Sequence, residues 1–94
     1  MAETVDELSV DFTEDGLLVT KQLDKVVLTK GAWATILYRY QDWDRAKEEY
    51  GPEKYTIRRY QKRHGAYQQK SKFNISSKDQ ARKIVDALEQ WIGD

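Results

Sequence analysis

The chain has 94 residues, with sixteen Lys and Arg against sixteen Asp and Glu, three Trp, six Tyr, one Pro and no Cys, and its formal net charge is zero. The missing cysteine excludes disulfides, thiolate metal sites and cysteine nucleophiles, and a lone His64 excludes a multi-histidine metal centre. No apolar run approaches the roughly 18 residues of a membrane span and residues 1–7 are unlike a signal or transit peptide, so the expectation is a soluble, cytoplasmic, single domain over 1–94.

In chain order, the first third is the least sharply patterned. Residues 8–12, 17–21 and 23–28 are short alternating or apolar stretches, broken by Thr13-Glu14-Asp15-Gly16 and by Gln22. They predict one or two strands within 1–29, and Lys30-Gly31 turns the chain into Trp33. Residues 32–42 (AWATILYRYQD) are rich in aromatic and β-branched side chains and read as a strand that is apolar on both faces. A strand of that kind suggests a second chain covering one face, and hence a homodimer. Residues 42–54 read as a polar loop with one helical turn capped by Asp44 and ended by Gly51-Pro52.

Residues 54–63 (KYTIRRYQKR) and 67–76 (YQQKSKFNIS) read as two more strands, joined by His64-Gly65-Ala66 into an antiparallel hairpin. A two-residue loop pairs positions that sum to 129 and sets Ile57 beside Lys72, mixing apolar with charged. An odd-length loop pairs to an even sum and sorts the faces. Tyr55, Ile57, Phe73 and Ile75 then share one side, expected to be buried, while Arg58, Tyr60, Lys62, Lys70, Lys72 and Asn74 share an exposed one. Beyond the hairpin, Ser77-Lys78-Asp79-Gln80 has the form of a capping box, and Ala81, Ile84, Val85, Leu88, Trp91 and Ile92 make one apolar stripe. A helix over about 78–92 follows, docked by that stripe and stopped at Gly93. The fold class is therefore α+β: a curved antiparallel sheet of about four strands, then one C-terminal amphipathic helix, with 30–92 as the sheet-plus-helix unit.

Catalysis has little support. Asp42, Asp44, Glu48, Glu49 and Glu53 lie in a polar loop without cation-loop spacing, and no phosphate-binding glycine loop, nucleophile elbow or zinc-protease motif is present. The expectation is a non-enzyme with no catalytic residue, metal, cofactor or small-molecule substrate. Charge order is more informative than charge total. From Lys54 to Lys78 there are eight cations and no acid, which leaves eight cations and sixteen acids in the other residues. Screening over about 8–10 Å lets such a segment act independently of acids beyond it. Single-stranded nucleic acid offers phosphates and unstacked base faces, and cations interleaved with flat side chains match both. Arg58, Tyr60, Lys62, Lys70, Lys72 and Asn74 are the candidate contacts, joined by Trp33 and Arg39 from strand 32–42.

The strand order ending in an amphipathic helix, with Lys-Tyr-Thr-Ile-Arg-Arg-Tyr at 54–60 and Phe-Asn-Ile-Ser at 73–76, resembles the positive-coactivator-four (PC-four) family in its bacterial form. The family's D-I-R-x-[YW] strand is similar to Thr56-Ile57-Arg58-Arg59-Tyr60, its K-K-G-I-S-L-T strand to residues 70–76, and its early G-W to Gly31-Ala32-Trp33. Lys72 stands where the family has glycine and Arg59 where it has an acid. The resemblance implies a dimeric single-stranded-DNA-binding protein with a role in transcription or DNA maintenance. It places phosphate-contacting and stacking roles on Arg58, Tyr60, Lys70 and Lys72. An alternative layout, with Trp33, Phe73 and Ser76-Ser77-Lys78-Asp79-Gln80-Ala81, resembles the three-stranded arm-binding domain of phage-type integrases, which implies duplex DNA. The third class is a protein-interaction module that pairs its basic face with an acidic partner.

Overall fold

The computed structural model describes residues 2–93. It is α+β: an antiparallel sheet of six strands followed by one helix. The strands are β1 (Phe12–Glu14), β2 (Leu17–Thr29), β3 (Trp33–Asp44), β4 (Glu49–Tyr50), β5 (Lys54–Arg63) and β6 (Ala66–Ile75), and the helix is α1 (Lys78–Ile92). The sheet order is β1-β2-β3-β5-β6, with β4 pairing back on β3.

The two stretches read on either side of Gln22 are one thirteen-residue strand. The pairing register with β3 shifts between Gln22 and Asp24, and the extra residue, Leu23, absorbs the change of phase that looked like a break. Gln22 is then used twice: its side chain accepts from Val10 N and its own N–H donates to Asp11 Oδ1. The expected polar loop after β3 holds a tight turn. Asp44 Oδ1 accepts from the N–H groups of Ala46 and Lys47, as a capping Asp should, but the chain returns at once as β4 with Trp43 and Tyr50 edge-to-face.

The β5–β6 hairpin corrects the expected loop. His64 and Gly65 both have positive φ, 52° and 80°, so the connection is a two-residue turn of the mirror-image type that suits sheet twist. Near it the pairs sum to 129, with Lys62 opposite Tyr67. A bulge at Lys70 then shifts the sum to 130, giving Arg58 opposite Lys72, Thr56 opposite Asn74 and Ile57 opposite Phe73. The even register comes from the bulge. An added Cβ at Gly65 meets no atom within 4 Å. Gly65→Ala is therefore expected to cost only the left-handed backbone penalty, about 1–2 kcal/mol by denaturant titration.

Which face is covered departs from expectation at Tyr60, which is buried, and at Phe73, which is exposed, while Ile75 is buried and Lys62, Lys70, Lys72 and Asn74 are exposed as expected. Residues 2–11 cross the face that carries Ala34, Ile36, Tyr38, Thr56, Arg58 and Tyr60, and Leu8 and Val10 fill the core there. The hairpin's own pattern could not show this, because the cover comes from a distant segment and β3 sets the parity: Ala34 lies opposite Tyr60 and leaves room for its ring. Lys25 fixes the segment. Its Nζ donates to the carbonyl oxygens of Val5, Asp6 and Leu8 at 2.8, 3.1 and 2.8 Å, around a 3-10 turn over Val5–Glu7. Within that turn the Glu7 carboxylate accepts from Glu3 N, Thr4 Oγ1 and Thr4 N, which holds it below the ordinary carboxyl range. The charge-assisted hydrogen bonds of Lys25 contribute about 1.5–3 kcal/mol. Lys25→Met should remove them, lower the midpoint of unfolding and speed proteolysis within residues 2–11, measured by limited digestion.

The helix forms as its sequence dictates and docks differently. Ser77 Oγ accepts from Gln80 N while Gln80 Oε1 accepts from Ser76 N, and Gly93 (φ 90°) closes the other end. Yet α1 has no buried residue, and Val85, Leu88, Trp91 and Ile92 are exposed. The start of the expected apolar stripe, Ala81 and Ile84, is partly covered, while its C-terminal part, Leu88, Trp91 and Ile92, is left exposed. No helix among the described residues is long and apolar enough to cross a membrane.

Candidate nucleic-acid interface

The register brings Arg58, Lys62, Lys72 and Asn74 onto one face of the β5–β6 ribbon, with Lys70 at the bulge beside them. Arg58 and Lys72 are direct cross-strand neighbours, an arrangement of like charges that costs stability. Arg58 is half-buried at the rim of the core. Its Nη1 donates to Gln69 Oε1 at 3.0 Å, and its Nε lies buried with no hydrogen-bond partner. Lys72 and Lys70 are exposed. Asn74 Oδ1 is engaged, accepting from the Thr56 hydroxyl at 2.8 Å, so its free group is the amide nitrogen.

Tyr60 shares this face but not its exposure. It is 4% exposed and its hydroxyl lies 2.9 Å from that of Tyr38. Burial, and then the Tyr60 hydroxyl, push the Tyr38 phenol above its ordinary value. In this fold Tyr60 is a core residue, and a base can stack on it only if residues 2–11 leave. The aromatic on the accessible part of the face is Tyr67. Its ring is half-buried, with Lys62 Nζ 5.4 Å from the centroid, and its hydroxyl donates to Gly31 O at 2.7 Å. The Lys62–Tyr67 neighbourhood depends on the odd register near the turn, which the even-sum reading of the whole hairpin hid.

Trp33 and Arg39 lie on the opposite face. Trp33 is 41% exposed with the Arg59 guanidinium 4.7 Å from its ring centroid, a cation–π contact near the hairpin end of the sheet. Arg39 sits at the other end, between Asp24 (3.9 Å) and Glu53 (3.4 Å), and is neutralised there. The candidates thus divide into a group on the ribbon (Arg58, Lys62, Lys70, Lys72, Asn74), Trp33 behind it, a buried Tyr60 and a paired Arg39.

Ion pairing follows the same division. Among the described residues the ion pairs are Arg39 with Asp24 and Glu53, Arg45 with Glu14, and Lys54 with Asp42. Of the eight cations between Lys54 and Lys78, only Lys54 is in one. Arg58, Arg59, Lys62, Arg63, Lys70, Lys72 and Lys78 have no acidic partner within 4.0 Å among the described residues. No group of three or more His, Asp or Glu among the described residues is placed to hold a metal ion. No protein-family model, curated protein or solved structure matches the chain.

Proposed function

We propose that this chain is a non-enzymatic binder of single-stranded nucleic acid, DNA in preference, that acts as a homodimer through its basic β5–β6 ribbon. The observation that carries the reading is the set of six unpaired cations on that ribbon, with Lys78 a seventh at the start of α1, in a protein with as many acids as bases. Acids are available, and the fold uses them elsewhere: Asp24, Asp42, Glu14 and Glu53 all pair at the β1–β4 side or the start of β5. A polyanion would relieve the Arg58–Lys72 repulsion.

The preference for a single strand follows from where the cations and rings lie. Arg58, Lys62 and Lys72 occupy one face, while Arg59 and Trp33 occupy the other. A flexible strand can turn over the hairpin end and reach both, setting bases on Tyr67 or Trp33, whereas a duplex with a persistence length of about 150 bp cannot bend so sharply. The second reading is duplex recognition by insertion. The three-stranded β3–β5–β6 part of the sheet, with cations on both faces, is the element that would enter the groove.

Competition between labelled oligo(dT) and an unlabelled duplex of equal length separates these readings. The single strand is expected to bind at least about tenfold tighter, the value of one stacked base at about 1–3 kcal/mol. Equal or tighter duplex binding would replace the first reading with the second. No binding to either at low salt would leave the interaction-module class.

A further inference from the structure

The molecule is too exposed for its size. A folded monomer of 11.1 kDa has an accessible surface of about 5,650 Å² by the usual mass scaling, and this chain has 6856 Å². Its Cα radius of gyration is 15.1 Å, against about 12.4 Å for a compact domain of the same length. The molecule is 17 Å through its thin axis, as expected for one sheet layer covered only in part.

The excess is about 1,200 Å² on the same scaling, and two apolar surfaces are exposed. On the face opposite residues 2–11, the pairings Val26–Leu37, Leu37–Ile57 and Ile57–Phe73 set four apolar side chains in one row across four adjacent strands. Val26 and Phe73 are more than half exposed. The row spans about 14 Å at ordinary strand spacing. It is bounded by the polar pair Asp24 and Arg39 on one side and by Arg59 on the other. The second surface is the stripe on α1, with Val85, Leu88, Trp91 and Ile92 at 44, 46, 78 and 77% exposure. A fifteen-residue helix is about 22 Å long, enough to cross the row. In its own chain α1 meets the sheet only at its first turns, near Tyr55 and Ile75.

We infer that the occupant of both surfaces is a second copy of this chain, with the α1 stripe of each protomer laid on the Val26–Leu37–Ile57–Phe73 row of the other. Each chain carries one donor helix and one acceptor row, so a two-fold exchange closes at two copies and leaves neither surface open. The excess area per protomer exceeds the roughly 800 Å² per partner of a stable interface. An apolar centre with a polar rim is the anatomy of such contacts. The inference rests on these surfaces and stands apart from what the basic ribbon binds; it gives the homodimer of the proposed function its interface.

Because the chain has no cysteine, pairs can be introduced cleanly. In the full chain, Phe73→Cys/Leu88→Cys should oxidise to a covalent dimer, while Leu88→Cys alone should not. Analytical ultracentrifugation of the unaltered chain should give a dimer near 22 kDa, twice the 11.1 kDa chain. Leu88→Lys and, separately, Phe73→Lys should each weaken it about 30-fold or more, the effect of losing a central contact, with far-UV circular dichroism confirming that the variants remain folded. A monomer at high concentration would overturn the inference. So would a dimer that cross-links through Leu88→Cys alone as readily as through the pair, because the helices would then meet each other and not the sheet.

Discussion

Reversing Lys62, Lys70 and Lys72 to Glu is expected to weaken binding to oligo(dT) at about 50 mM salt by at least about 100-fold. Three phosphate contacts of about 1 kcal/mol or more each give that factor. It should also flatten the dependence of log K on log[salt] by about 2, since a single strand releases about 0.7 counterion for each contact. All three side chains are exposed and unpaired by acids, so the fold loses only the exposed Lys62–Tyr67 cation–π contact when they change. Arg45→Glu/Lys47→Glu, on the turn before β4, is the matched control. It alters two cations outside the ribbon and should leave the slope where it was. Equal effects from both sets would mean that net charge, and not the ribbon, governs binding.

The second large effect concerns residues 2–11, a segment without strand pairing that nonetheless supplies two side chains of the buried core. Leu8 and Val10 are 7 and 6% exposed, over Ala34 and Ile36 at zero and Tyr60. Leu8→Ala/Val10→Ala should cost about 4–7 kcal/mol through lost transfer energy and the cavity left behind. That is most of the 5–15 kcal/mol a domain has in total. At about 4–8 °C per kcal/mol for a chain of this size, the thermal midpoint should fall by more than about 15 °C. If the segment were a detachable flap, the loss would be under about 1 kcal/mol and Tyr60 would become free to quenchers without unfolding.

Sequence reasoning reached those features that local chemistry decides. The α1 boundaries followed from Ser77, Gln80 and Gly93, each of which makes its capping contact within four residues. The grouping of Arg58 with Lys72 and of Ile57 with Phe73 followed from alternation alone. What alternation cannot carry is the identity of the cover. Both hairpin faces had apolar members, and the choice was made by Leu8 and Val10, fifty residues away and held there by Lys25. Tyr60 was misplaced for that reason. The bulges at Leu23 and Lys70 were hidden for another: one extra residue restores the phase on its far side, so the pattern looks either broken or uninterrupted. Arg39 could be placed on a strand but not neutralised, because Asp24 and Glu53 reach it only through the β2–β3–β5 pairing. The helix stripe was legible as apolar, and only the three-dimensional arrangement shows that its C-terminal part is left exposed.

Amide chemical-shift mapping of the uniformly 15N-labelled chain during titration with a short oligo(dT) locates the bound strand directly. The account predicts that the largest shifts fall on β5 and β6 around Arg58, Lys62, Tyr67, Lys70 and Lys72, with Trp33 following, while β1, the outer half of β2 and the Arg39 neighbourhood stay put. Shifts centred on the Val26–Phe73 row or on α1, or no shifts at all at low salt, would contradict it.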